Sequence, residues 1–217
     1  MATGFQYQST AFRTLTLAFA LFAGVSTASA QDAGDQDEPA RRMGIIIGGA
    51  FEGAEVTRTP AGSQKTLLIA SYEWDYGVRY FTEKTWTDRG LDWSKFLPAA
   101  QKVADDILEE IEPEFARDSR GIIEYVILHS EDPFLSSVLI SPKLTEKFGE
   151  SLGDRIQAIV VDRQMIYLFP ATGGKLQEFG RSLVDAFQQA KLPVSLEVFL
   201  INESGARVVG ELGQGDE

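Results

Sequence analysis

The clearest pattern of apolar positions lies between residues 121 and 170. Four runs rich in β-branched side chains occur there, at residues 122–128, 134–140, 156–161 and 165–169. Each run has the length and composition typical of a buried strand. After the second run, Ser141 and Pro142 predict the start of a short helix that ends near Gly149 or Gly153. Only three residues separate the last two runs, and a connection this short requires an antiparallel hairpin.

The remainder of the chain predicts more strands and two longer helices. Further apolar runs occupy residues 44–51, 66–73, 78–82, 194–201 and 207–212. A turn containing Asp75 and Gly77 joins two of them into a hairpin, and the last two runs form another. Helical periodicity predicts a short turn capped by Thr82, a helix over residues 93–111 capped by Asp92, and a helix over residues 174–190.

This order of elements predicts an α+β fold. We expect a single domain over residues 44–212, in which the two main helices pack on a mostly antiparallel sheet. The apolar positions of the 156–169 hairpin and of the last helix are expected to share one core, which would contain Ile159, Val161, Ile166, Leu168, Leu183 and Phe187.

The two ends of the chain differ from this domain. Arg13, an apolar run over residues 15–25 and the sequence Ala28-Ser29-Ala30 are typical of a secretory signal peptide over residues 1–30. Cleavage after Ala30 would give a secreted or periplasmic protein, whereas an uncleaved N-terminal anchor is the alternative. Residues 31–43 are polar and acidic and predict a disordered leader, and residues 213–217 predict a loose tail.

Charge and cysteine content exclude several classes of function. The formal net charge is -12 at neutral pH, which disfavours binding to nucleic acid or to an anionic membrane after signal cleavage. The chain has no cysteine, so disulfides, thiol catalysis and cysteine-ligated zinc are excluded. No motif predicts a metal or a cofactor: the acidic residues of the leader lack the spacing of a calcium loop, and Lys175 lacks the glycine spacing of a phosphate loop.

His129 is the only histidine, and it offers the one hypothesis of nucleophilic catalysis. Asp132, Ser136 and Ser137 follow it closely, so the alternative hypothesis is a hydrolase that uses His129 with Asp132 and either serine. The nucleophile-elbow sequence G-x-S-x-G is absent, and a single histidine at the end of a strand is more often structural. Two-carboxylate glycosidase chemistry is neither supported nor excluded by so many acidic residues.

Two other groups of residues are candidate binding sites. The aromatic side chains Trp74, Tyr76, Trp86 and Trp93 would either line a groove for a ligand or form the edge of a core. Asp162 and Arg163 occupy the turn of the 156–169 hairpin, where Asn-Gly would be more favourable. Arg163 is therefore predicted either to bind a partner or to pair with a carboxylate of this acidic chain.

Three stretches resemble the YtpQ-like family of bacterial proteins, which has no established activity. They are LLIASYEWDYGVRYFTEKTWTDRGLDWSKF, EDPFLSSVLISPKL and IQAIVVDRQMIYLF. The third contains the arginine-bearing turn of the family, of which this chain keeps Arg163 but not the proline and aspartate around it. The resemblance implies no reaction. We therefore expect an exported, soluble, non-catalytic binding or accessory domain whose partner is an unknown protein or small-molecule ligand, with the His129 hydrolase as the alternative.

Overall fold

The computed structural model describes residues 41–213, which form two antiparallel sheets and four α-helices. The strands are β1 (Met43–Gly49), β2 (Thr57–Arg58), β3 (Thr66–Trp74), β4 (Gly77–Tyr80), β5 (Glu114–Arg117), β6 (Ile123–His129), β7 (Ile156–Asp162), β8 (Met165–Pro170), β9 (Glu197–Asn202) and β10 (Gly205–Glu211). The helices are α1 (Glu83–Asp88), α2 (Trp93–Glu110), α3 (Lys143–Leu152) and α4 (Gly180–Gln189). Short 3₁₀ helices span Ala50–Glu52, Leu135–Ile140 and Leu176–Phe179.

These elements confirm the α+β class and the mostly antiparallel sheet. The predicted caps are present: the Thr82 hydroxyl accepts a hydrogen bond from the Thr85 amide, and the Asp92 carboxylate accepts bonds from the Ser94 and Lys95 amides. Each cap satisfies backbone donors that a helix leaves free in its first turn. Local signals were therefore sufficient to locate the starts of α1 and α2.

The predicted strand over residues 134–140 is wrong, because this segment forms the 3₁₀ helix Leu135–Ile140. A short apolar run that is buried on all sides does not reveal its own periodicity. The helix covers the free edge of β1, where the Ser136 hydroxyl accepts a 2.9 Å hydrogen bond from the Ile47 amide. The side chain thus supplies the acceptor that a neighbouring strand would otherwise provide.

The larger sheet has the strand order β10-β9-β7-β8-β6-β5, with every neighbouring pair antiparallel. In the smaller sheet, β3 lies between β1 on one side and the short strands β2 and β4 on the other. Strands β2 and β5 were not predicted, because two and four residues carry little periodic signal.

The larger sheet separates two apolar cores, which corrects the prediction of one. Ile166 and Leu168 lie in the larger core, which contains side chains of both sheets and of α2. Ile159, Val161 and Leu183 lie in the smaller core beneath α4. Successive residues of a strand point to opposite faces, and the register of β7 and β8 sends these two sets apart. Phe187 is only partly buried against the smaller core.

Some predictions concern residues outside the described range. The signal peptide, residues 31–40 of the acidic leader and residues 214–217 of the tail all lie there. Residues 41–43 of the predicted leader belong to the fold, since Met43 begins β1 and the Arg42 guanidinium bonds to Glu73 and Asp132. Within residues 41–213, no helix is both long and apolar enough to cross a bilayer.

Candidate functional site

The residues of the hydrolase hypothesis do not converge. His129 ends β6 as an exposed residue, and its side chain has no hydrogen bond with any described residue. Ser136 and Ser137 are both fully buried in the 3₁₀ helix, where Ser136 is bonded to Ile47 and the Ser137 hydroxyl has no partner among the described residues. The Asp132 carboxylate accepts a 2.8 Å hydrogen bond from Arg42 and another from the Phe134 amide. Neither serine has the histidine contact or the access to solvent that a nucleophile needs.

The four candidate aromatic residues form two separate pairs. At the turn between β3 and β4, the Trp74 and Tyr76 rings lie 4.9 Å apart, and the Arg79 guanidinium lies 3.4 Å from the centre of the Trp74 ring. The Trp86 and Trp93 rings, 5.6 Å apart, belong to α1 and α2.

The Trp86–Trp93 pair borders a cavity of about 320 Å³, whose lining also includes Glu55 and Glu83. The Trp86 and Trp93 rings both contact Phe96, a fully buried residue of the larger core. Trp86 and Trp93 thus lie at the edge of the larger core, which was one of the two interpretations of the sequence.

Arg163 is held by a cluster that links the two sheets. Its guanidinium donates hydrogen bonds to the Glu52 carboxylate and to the Tyr80 hydroxyl, and its backbone amide donates to the Leu192 carbonyl at 3.1 Å. Only 19% of the Arg163 side chain and 8% of the Glu52 side chain are exposed. The partner carboxylate therefore lies far away in the sequence, beside β1, where no local pattern could reveal it.

The same cluster shifts the titration of Tyr80. Burial, followed by the hydrogen bond that its hydroxyl donates to Glu52, raises the pKa of Tyr80 to about 12, although the positive charge of Arg163 acts in the opposite direction. Beside the cluster is a cavity of about 190 Å³, lined mainly by apolar residues. That volume is below the roughly 300 Å³ at which small-molecule pockets usually begin.

Asp162 explains why the β7–β8 turn does not need Asn-Gly. Its carboxylate accepts a 2.9 Å hydrogen bond from the Gln164 amide and a 3.0 Å bond from the Leu192 amide. The first bond stabilises the turn itself, as aspartate commonly does, and the second fastens the turn to the segment before β9. Asp162 and Arg163 thus both have structural partners.

A larger cavity that the sequence did not predict lies beside the last hairpin. This cavity, which we name the β9–β10 cleft, has a volume of about 770 Å³. It is lined by Gly62, Gln64, Arg155, Gln157, Ala171, Glu197, Leu200, Arg207, Val208, Val209, Gly210 and Glu211. Gln157, Leu200 and Arg207 are direct cross-strand neighbours on β7, β9 and β10, so one row across three strands contributes to the lining.

A close-packed loop forms one wall of the cleft. Gly62 has a φ of +80°, and a Cβ atom at this position would lie only 2.5 Å from the Val208 carbonyl oxygen. The Val208 amide also donates a 2.8 Å hydrogen bond to the Ala61 carbonyl. Only glycine permits both this backbone conformation and this close approach to β10.

Glu197 binds the segment that follows Gly62, over residues 63–66. Its carboxylate accepts hydrogen bonds from the Gln64 and Lys65 amides at 2.7 and 3.1 Å, and from the Ser63 and Thr66 hydroxyls at 2.7 and 2.6 Å. Burial raises the pKa of Glu197, but these donors outweigh it and hold the pKa below its ordinary value. Glu197 is thus an ionised, internally satisfied group.

Two arginines supply the positive charge of the cleft. Arg155 and Arg207 are exposed, and neither forms an ion pair with a residue in the described range. The Glu211 carboxylate, in contrast, is paired with Lys65. Within residues 41–213 the cleft therefore presents two guanidinium groups without a carboxylate partner, and the amides of Gln64 and Gln157 also line it. Among residues 41–213, no group of three or more acidic or histidine side chains is placed to hold a metal ion.

Comparison with known proteins adds no relative. No protein-family model matches the chain, and neither a curated protein nor a solved structure is significantly similar to it. The resemblance to the YtpQ-like family therefore stays a prediction from the three sequence stretches.

Proposed function

We propose that the protein is an exported, soluble binding domain without turnover of its own, and that the β9–β10 cleft is its binding site. The observation that carries the proposal is the composition of the cleft, which combines an apolar floor at Leu200 with amide and guanidinium donors. A concave surface with a few convergent polar groups is the usual form of a small-molecule site. Among the described residues, those that line the cleft include no histidine and no serine.

The hydrolase alternative has less support. Its serines are fully buried and its histidine is exposed, so substrate would reach His129 without reaching the nucleophile. Export is supported by the Ala28-Ser29-Ala30 sequence after an apolar run. An exported binding domain is also compatible with the YtpQ-like family that the chain resembles, which has no established activity.

The proposal is tested by isolating the protein from the cell envelope of a host that secretes it. N-terminal sequencing should give Gln31 as the first residue, and native mass spectrometry should detect a bound small molecule. Val209→Trp would fill the cleft, because Val209 lines it and is 44% exposed. This variant should lose the bound molecule, whereas Ile122→Trp should retain it, since Ile122 is 54% exposed and does not line the cleft.

Two results would contradict the proposal. The first is retention of the bound molecule in the Val209→Trp variant. The second is a hydrolytic activity of the wild-type protein that disappears in a His129→Ala variant, because His129 is an exposed residue whose replacement should leave the fold intact.

A further inference from the structure

We infer that the ligand of the β9–β10 cleft is a small organic anion with at least two negatively charged groups, each a carboxylate or a phosphate. This inference rests on the proposed binding function and specifies the chemistry of the ligand. Guanidinium groups match both of these anions with two parallel hydrogen bonds, so the two arginines of the cleft select for them.

The first step of the argument concerns charge. Acidic residues outnumber basic residues by 12, and many lysines and arginines of the described range accordingly pair with a carboxylate. Arg155 and Arg207 have no such partner in that range, although Glu197 and Glu211 line the same cleft. Those two carboxylates already have other partners, the loop donors and Lys65 respectively. Two uncompensated cations in one cleft are therefore available to an external anion.

The second step concerns position. Arg207 and Gln157 flank Leu200 in one cross-strand row, so their Cα atoms are about 10 Å apart. Arg155 precedes Gln157 by two residues, and the Ala171 amide donates a 3.0 Å hydrogen bond to the Arg155 carbonyl, which extends the β7–β8 ladder by one pair. Residues two apart on a strand share a face. Arg155 thus lies on the same face as the row, two residues along the chain from Gln157, which is the end of the row opposite Arg207.

The third step concerns size and the uncharged lining. A volume of about 770 Å³ falls within the roughly 300–1,000 Å³ that small-molecule sites occupy. The floor is Leu200, which is 5% exposed, and Gln157, opposite Leu200 and two residues from Arg155, adds an amide group to the lining. An organic backbone over this floor, with an anionic group at each end, would satisfy both arginines. A single inorganic ion would satisfy one of them.

The inference is tested by isothermal titration calorimetry of the full mature chain with two probes, citrate and fructose 1,6-bisphosphate, at constant ionic strength. At least one probe should bind to the wild type. Arg155→Gln and Arg207→Gln should each weaken that binding about tenfold or more, because each removes a charged hydrogen-bond pair. Arg181→Gln is the matched control: Arg181 is an exposed arginine of α4 that does not line the cleft. Which of the two probes binds distinguishes a carboxylate ligand from a phosphate ligand.

Three outcomes would overturn the inference. They are no binding of either probe to the wild type, equal binding by the wild type and both cleft variants, and an equal loss in the Arg181→Gln control. If the probes fail while a neutral molecule is displaced by Val209→Trp, the charge inference is wrong and the binding function stands. Melting curves of both cleft variants establish that they are folded, as expected for exposed positions.

Discussion

Replacing Arg163 by alanine should lower the free energy of unfolding by about 2–3 kcal/mol. The change removes the cation that faces Glu52, whose side chain is 8% exposed and, within residues 41–213, keeps the Gly49 amide and the Tyr80 hydroxyl as its donors. Removing one member of a fully buried ion pair costs about 3–5 kcal/mol, because the remaining charge stays desolvated. The Arg163 side chain is 19% exposed, so we expect a smaller loss. For a domain of this size, such a loss lowers the melting temperature by about 4–12 °C.

The measurement is urea unfolding followed by far-ultraviolet circular dichroism, with Arg181→Ala as the control for loss of an arginine without an ion pair. A double-mutant cycle with Glu52→Gln isolates the pair, and the two substitutions should be less than additive, since each removes the same interaction. An Arg163→Ala variant within about 0.5 kcal/mol of the wild type, the range typical of surface substitutions, would refute the structural role. If that variant also lost a bound partner, Arg163 would instead be the binding residue that the sequence suggested.

Three further predictions follow from buried polar groups. Glu197→Gln should destabilise the fold by about 2–3 kcal/mol, because one amide oxygen replaces two carboxylate oxygens that accept four hydrogen bonds. In urea unfolding, the stability difference between the wild type and Glu197→Gln should shrink as the pH falls below 4.5, the ordinary pKa of glutamate, since Glu197 takes up its proton first in the unfolded state. A difference that stays unchanged at low pH would contradict an ionised Glu197. The ultraviolet absorbance titration of the wild type, after subtraction of the same titration of Tyr80→Phe, should show a midpoint near pH 12; a midpoint at the ordinary value of 10 would exclude the cluster. Because the pKa is higher in the folded state, the stability that the protonated Tyr80 hydroxyl contributes is present below pH 10 and is lost as the pH rises towards 12. Ser137→Ala should leave the free energy of unfolding unchanged or slightly higher, whereas Ser136→Ala should lower it by about 1 kcal/mol. The reason is that, within residues 41–213, the Ser136 hydroxyl has a hydrogen-bond partner and the Ser137 hydroxyl has none. Equal effects of the two substitutions in urea unfolding would disprove this distinction.

Local sequence determined the elements whose stabilising contacts are close in the chain. The Thr82 and Asp92 caps bond to amides two or three residues away, and the short connection between β7 and β8 leaves an antiparallel hairpin as its only solution. The apolar stripe of α2 repeats with the helical period over 18 residues, which is long enough to be unambiguous. Since each of these features depends only on the spacing of residues along the chain, the sequence was sufficient to predict both helices and antiparallel strands, and thus the α+β class.

Tertiary structure decided the form of residues 134–140 and the division of the core. Residues 134–139 are all buried, both serines included, so this run has no exposed face to set its period, and contacts with β1 and α2 select the 3₁₀ helix over the strand. Likewise, the alternation along β7 and β8 is readable in the sequence, but which face meets α4 and which meets the smaller sheet depends on how the sheets pack.

Tertiary structure also decided the candidate site. Arg163 was identified as an unusual turn residue, yet its partner Glu52 lies 111 positions away, and no local pattern indicates that distance. The β9–β10 cleft brings Gln157 beside Leu200 and Arg207 because β7 pairs with β9, although β8 and α4 lie between these two strands in the chain. A sequence shows which side chains carry charge, but whether a charge meets a carboxylate or stays uncompensated depends on strand order and register. Both are determined by the burial of apolar faces from distant segments.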